Sequence, residues 1–183
     1  QLQICKRSDT ILHEFCLKCR TGQLSQLVPT ARESFVAVGP YEKSICLDNA
    51  RRMEICIQEN ERLAPDIEPT EFLDTPIRLY VGMTLLGCRN DRGGRFLNAC
   101  ESTVTQITDE GICVPELVDW ETAKKTFRLP HAVTVCNSQS RTYQGKVRVC
   151  LGRAPGHVHT MFSARHLNVA CSRCTSSALL CVE

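Results

Sequence analysis

Leu12, Phe15, Cys16 and Cys19 recur at helical spacing and predict a helix over residues 8–20, with Ser8 or Asp9 as its N-cap and Gly22 as its stop. Beyond Pro29 and the Gly39-Pro40 turn, the short apolar run Ser44-Ile45-Cys46-Leu47 suits a buried strand. Asp48 or Asn49 then caps a second helix over residues 50–61, whose core side is expected to carry Ala50, Met53, Cys56, Ile57 and Asn60. Residues 63–76, rich in proline and acidic side chains, read as a solvated connection. From Tyr80 the period changes. Short β-rich runs at 81–86, 96–97, 102–107 and 111–114, with turn residues at 89–94, predict a small antiparallel barrel or meander. After Trp120 the α/β pattern returns, with strand candidates at 132–135, 147–151 and 177–182. Strands alternating with helical stretches imply an α/β fold: a parallel sheet flanked by helices, with the antiparallel piece inserted. The expected divisions are residues 1–79, 80–118 and 119–183.

Composition narrows the function classes. With 183 residues, 43% hydrophobic and 23% charged, the chain can form one sizeable domain carrying an insertion. A net charge of +2 provides no strong bulk field, so any nucleic-acid contact must come from a local groove. No apolar run approaches membrane-spanning length and no signal peptide opens the chain, which implies an intracellular protein with no membrane partner. The start at Gln1-Leu2-Gln3-Ile4 reads as a segment of a longer protein. Thirteen cysteines, an odd number at irregular spacing, argue against a disulfide scaffold. Two Cys-x-x-Cys pairs, Cys16/Cys19 and Cys171/Cys174, raise a zinc-binding alternative. The first pair falls on the apolar helix face, where cysteine behaves as a small hydrophobe, so no metal is expected.

The chemistry concentrates in two stretches. Val133-Thr134-Val135-Cys136-Asn137-Ser138-Gln139-Ser140-Arg141-Thr142 is followed by Leu167-Asn168-Val169-Ala170-Cys171-Ser172-Arg173. They resemble motifs V and VI of superfamily-one helicases of the RecD-like, 5′ to 3′ branch. Lys6-Arg7-Ser8-Asp9, before a helix ending in Arg20-Thr21-Gly22, resembles the motif IV arginine and its helix. Residues 45–52 resemble the strand, asparagine and helix start that follow it, and residues 82–99 resemble an inserted SH3-like barrel.

The resemblance implies the second RecA-like lobe of an ATP-dependent DNA helicase. On that reading Arg173 is an arginine finger and Arg7 a second γ-phosphate contact, since a planar, permanent charge suits phosphoryl oxygens. Thr134, Ser138, Gln139 and Thr142 link the ATP cleft to the DNA backbone, while Asn49, Arg89, Arg92 and Arg95 contact single-stranded DNA. The chain departs from the family pattern in places. Cys136-Asn137 replaces His-Lys, Ser140 replaces the motif V glycine, Asn168 an aromatic, Cys171 an aliphatic residue, and Ala99 a barrel glycine. Such drift fits a divergent relative, for example a replication protein of a large DNA virus.

No phosphate-binding loop is present. At the nearest imitation, Gly145-Lys146, Ser140 stands at the first glycine position and Val147 at the hydroxyl position. ATP and Mg2+ are therefore expected to be held mainly by an N-terminal RecA-like lobe, and this segment alone is expected to be inactive. A second reading is a non-catalytic nucleic-acid or protein-binding module built on the β-rich insertion. Arg89, Arg92, Arg95, Lys124, Lys125 and Arg128 would then form a basic edge beside Phe96, Trp120 and Phe127.

Overall fold

The computed structural model describes residues 8–72, 75–89, 98, 100–154 and 156–183. Two compact units divide the chain, Gln1–Ile55 with His131–Glu183, and Cys56–Pro130. The first opens with helix α1 (Thr10–Lys18), capped by Asp9, whose Oδ1 accepts from the Leu12 N–H at 2.9 Å. Leu12 and Phe15 are buried, and the Phe15 ring stands edge-on to Phe35 with centroids 5.0 Å apart. Helix α2 (Leu24–Ser34), for which the sequence pattern predicts no element, carries Pro29 in its interior. Its buried face, Leu27, Val28 and Ala31, holds the helix together despite the missing proline N–H.

Strand β1 (Lys43–Cys46) leads into α3 (Asn49–Leu63). Asp48 is the cap, its Oδ1 accepting from the Arg51 N–H at 2.8 Å. The inward side of α3 is Arg52, Ile55, Cys56 and Asn60, whereas Ala50 is exposed and Met53 and Ile57 are half-buried. The expected face was therefore rotated. Cys56 and Asn60 lie inward as expected, and the Asn60 amide accepts from the Arg78 N–H at 2.8 Å and donates to the Arg78 carbonyl at 2.9 Å.

The second unit is largely antiparallel. Strands β2 (Thr70–Phe72) and β3 (Thr75–Ile77) pair within the stretch expected to be a solvated connection. Phe72 at 0% and Ile77 at 3% exposure give this hairpin an apolar anchor that proline and acidic content obscured. Next come β4 (Thr84–Gly87), β5 (Glu101–Thr103), β6 (Gln106–Ile107), β7 (Gly111–Cys113), β8 (Leu117–Asp119), helix α4 (Trp120–Thr126) and β9 (Phe127–Arg128). They form two three-stranded sheets, β5-β4-β9 and β6-β7-β8. At Gly111 a Cβ would lie 2.0 Å from the Val118 carbonyl oxygen, so the close pairing of β7 with β8 requires glycine.

The chain then returns to the first unit through β10 (Ala132–Thr134), β11 (Val147–Cys150), α5 (Ala164–Cys171) and β12 (Leu180–Val182). The sheet order is β10-β1-β11-β12 and every pairing is parallel, as the alternation of strands and helices predicts. Ile45 stands beside Val133 and Val149, and Val149 beside Val182, so one row of fully buried or nearly buried aliphatics crosses the sheet. Burial of each such side chain stabilises by about 1.5–3 kcal/mol. Parallel strands gather their C-terminal ends on one edge. The turns after β1 and β10 meet there, with the Val135 N–H donating to the Cys46 carbonyl at 2.9 Å.

Candidate functional site

Helix α5 begins with a capping box, in which the Ser163 hydroxyl accepts from the His166 N–H and His166 Nδ1 accepts from the Ser163 N–H. Its other end delivers Arg173. The guanidinium donates from Nε to the Val169 carbonyl at 3.0 Å, from Nη1 to the Arg141 carbonyl at 3.1 Å and from Nη2 to the Ser172 hydroxyl at 2.8 Å. A cation here offsets the negative end of the helix dipole, and three bonds fix a side chain that would otherwise be flexible. Arg173 lines a cavity of about 430 Å3 together with Ser8, His13, Arg20, Asn168 and Ser172.

The segment after β10 meets Arg173 from the other side. The Tyr143 N–H donates to the Arg173 carbonyl at 2.8 Å, and Tyr143 bridges Cys174 in parallel. The two stretches singled out in sequence are thus stitched together by main-chain bonds. Upstream, Thr134 ends β10 and its Oγ1 accepts from the Asn137 N–H at 3.4 Å. Ser138 closes a turn of 3-10 helix, Cys136–Ser138; it is fully buried, and its hydroxyl donates to the Val135 carbonyl at 2.8 Å. These two hydroxyls hold the turn, and Gln139 and Thr142 are the exposed members of the set. Ser140 has φ 65°, the left-handed conformation that glycine adopts without strain. The backbone expected of a glycine has been kept although the glycine has not.

Asn49 is exposed at the start of α3, and its Oδ1 accepts from Arg52 Nε at 3.1 Å. The register of Cys46 beside Thr134 places it on the sheet edge that carries the 3-10 turn. His159, in the loop after β11, reaches the same edge, with Nε2 3.9 Å from Asp48 Oδ2. Arg89 is exposed in the second unit. Arg7, Arg92 and Arg95 lie outside the described residues. Sequence reasoning missed Arg20, His13 and the Arg141 carbonyl as parts of the Arg173 surroundings. The only signal for Arg20 was its position at the end of the first helix.

The cysteine pairs also have a place. Cys19 is 3% exposed, Cys171 and Cys174 are 0% exposed, and Cys16 is half-buried where α1 packs on α5. Burial, with the neighbouring Cys16 thiol, pushes Cys19 up to about 12, and burial drives Cys171 well above the ordinary thiol value. Among the described residues no group of three or more His, Cys, Asp or Glu is arranged to hold a metal ion. No helix among them is long and apolar enough to cross a membrane.

No protein-family model matches the sequence, and no curated protein does. Solved structures do match in fold. A Pif1 helicase described for unwinding at forked duplex DNA by two coordinating helicases superposes with TM-score 0.68 and 19% identity, over 98% of this chain and 48% of its own. Pif1 from Bacteroides in complex with ADP-AlF3 and single-stranded DNA gives TM-score 0.67 and 16% identity, over 99% and 50%. Pif1 from Candida albicans gives 0.62 and 14%, over 95% and 53%. The chain spans about half the length of these Pif1 helicases. Its fold, a parallel four-stranded sheet flanked by helices with small antiparallel sheets attached, matches that of a helicase RecA-like lobe.

Proposed function

We propose that this chain is the second motor lobe of an ATP-dependent DNA helicase of the RecD-like, 5′ to 3′ branch. Arg173 and Arg7 address the γ-phosphate of ATP gripped by an N-terminal RecA-like lobe. The observation that carries this reading is the joining of the two motif stretches at Arg173, whose carbonyl accepts from the Tyr143 N–H and whose guanidinium donates to Arg141. A finger must act on charge that develops in the transition state, and a guanidinium already ordered by three bonds loses little freedom when it does so. The opposite sheet edge, with Asn49, Gln139 and the hydroxyl-held turn, supplies neutral donors for the phosphates of single-stranded DNA. Thr134 and Ser138 act there by shaping the turn, and Thr142 continues the path toward Arg173. The Pif1 neighbours crystallised with ADP-AlF3 and single-stranded DNA support both ligands.

The reading assigns Mg2+, together with the nucleotide phosphates, mainly to the N-terminal RecA-like lobe. The antiparallel unit corresponds to an SH3-like insertion whose Arg89, Arg92 and Arg95 contribute DNA contacts. An intracellular role in DNA replication, including that of a large DNA virus, accommodates the drift in motif V. The deciding experiment is ATP hydrolysis by the full-length protein with and without single-stranded DNA. Stimulation by DNA that disappears in Arg173→Ala supports the reading, and DNA-independent hydrolysis or none removes it.

A further inference from the structure

The cavity beside Arg173 contains a second guanidinium, that of Arg20, to which the motif resemblance gives no role. Arg20 follows the C-cap of α1 and lines this space of about 430 Å3 with His13, Asn168 and Arg173. Arg20 and Asn168 also line an adjoining cavity of about 320 Å3, together with Arg165 from the first turn of α5. Three permanent positive charges therefore border one groove between α1 and α5. Among the described residues that line either cavity there is no carboxylate. Arg20 and Arg165 are both exposed, and among the described residues neither makes a side-chain hydrogen bond or ion pair.

A groove bordered by three guanidinium groups, and lined by no carboxylate among the described residues, gains most from a ligand bearing several linked negative charges. A single carboxylate would engage one arginine. A chain of phosphates presents oxygens to each in turn, in the planar geometry that a guanidinium matches. The three arginines also differ in freedom. Arg173 is tied to Val169, Arg141 and Ser172, whereas Arg20 is free to swing toward an incoming anion.

We infer that Arg20, with Arg165 beyond it, is a further phosphate-contact residue that captures the polyphosphate chain of a nucleoside triphosphate before Arg173 acts on it. This rests on the proposed nucleotide site and adds the residues that secure the ground state. Arg20 binds in the ground state as strongly as in the transition state, so its loss appears in KM and not in kcat.

The test has two arms. In the first, sodium tripolyphosphate is titrated into the 183-residue chain at low salt, and binding is followed by calorimetry and by the guanidinium Nε–H signals. Arg20→Ala and Arg20→Gln should each weaken binding by about tenfold, the size expected for a lost charged hydrogen bond, with Arg165→Ala in the same direction. Both sites are exposed, so unchanged melting curves confirm folding. Wild-type affinity in both Arg20 variants overturns the inference. So does complete displacement of tripolyphosphate by an oligothymidylate at equal phosphate concentration, which would make the groove a strand-binding surface. In the second arm, the full-length protein with Arg20→Ala should show a raised KM for ATP at nearly unchanged kcat. A normal KM beside a collapsed kcat in Arg173→Ala sinks the role of Arg20 and leaves the helicase reading standing. Arg20-dependent tripolyphosphate binding without any DNA-stimulated hydrolysis sinks the helicase reading and leaves the groove.

Discussion

Arg173 donates from Nη1 to the backbone carbonyl of Arg141 at 3.1 Å, across 32 residues of sequence. The bond ties the proposed γ-phosphate arginine to the segment that runs back to the 3-10 turn on the opposite sheet edge. A guanidinium drawn toward a phosphate pulls on that segment directly. In the full-length protein, Arg173→Ala should lower turnover by about a thousandfold while ATP binding changes little. Arg173→Lys should not restore the rate, because an ammonium cannot hold the fork of carbonyl and phosphate contacts. Steady-state kinetics with a nucleotide-binding assay measures both, and near-normal turnover in either variant would remove Arg173 from the chemistry.

Ser140 carries a left-handed backbone without the glycine that makes it easy. Ser140→Gly should relieve about 1 kcal/mol of strain, less the entropy that a glycine adds to the unfolded chain. Thermal melting should rise by about 2 °C. A lower melting temperature would show that the Ser140 side chain contributes more than its backbone costs.

Asp9 holds two elements together. Its carboxylate accepts from the Leu12 N–H, the Ser177 N–H and the hydroxyls of Ser176 and Ser177. Burial alone would raise its pKa, but these hydrogen bonds outweigh burial and hold it below the ordinary carboxylate value. A depressed folded-state pKa means stabilisation that is present above the unfolded value of about 3.9 and is lost as pH falls through the folded one. Asp9→Ala should therefore cost about 1–2 kcal/mol at pH 7 and distinctly less at pH 3, read from urea unfolding. An equal cost at both pH values would mean that the charge contributes nothing.

The thiols should divide by burial. Cys100 and Cys136 are exposed, while Cys150 is pushed up to about 12 by burial and by the nearby Glu183 carboxylate. Alkylation of the native chain should modify Cys100 and Cys136 well before Cys19, Cys150 or Cys171, since the thiolate is the reactive form. Peptide mass mapping checks the order. One zinc per chain by elemental analysis would contradict the packing role given to the two Cys-x-x-Cys pairs.

Arg89→Ala, alone and together with Arg92→Ala and Arg95→Ala, should weaken single-strand binding and lower the salt slope by up to about one unit per lost phosphate contact. The DNA-saturated hydrolysis rate should stay near normal. Anisotropy across a salt series with an unchanged slope would return this turn to the solvent.

Much of the fold was legible because local chemistry carries it. Buried parallel strands are short apolar runs, so Ile45, Val133 and Val149 stood out, and Asp9 and Asp48 announced the helices they cap. Strands alternating with helical stretches pointed to the α/β fold, and the resemblance of residues 133–142 and 167–173 to helicase motifs V and VI singled out Arg173 as an expectation. Tertiary packing decided the rest. It built α2 through Pro29, turned Arg52 and Ile55 of α3 inward, and paired β2 with β3 around Phe72. Sequence periodicity records which side of one element is apolar, but not which distant backbone carbonyl a side chain will find. The Arg141 carbonyl leaves no trace in composition, and Arg20 reaches the Arg173 cavity only because α1 lies against α5. That pairing is set by burial of the whole interface, a sum over residues far apart in the chain, and no single motif contains it.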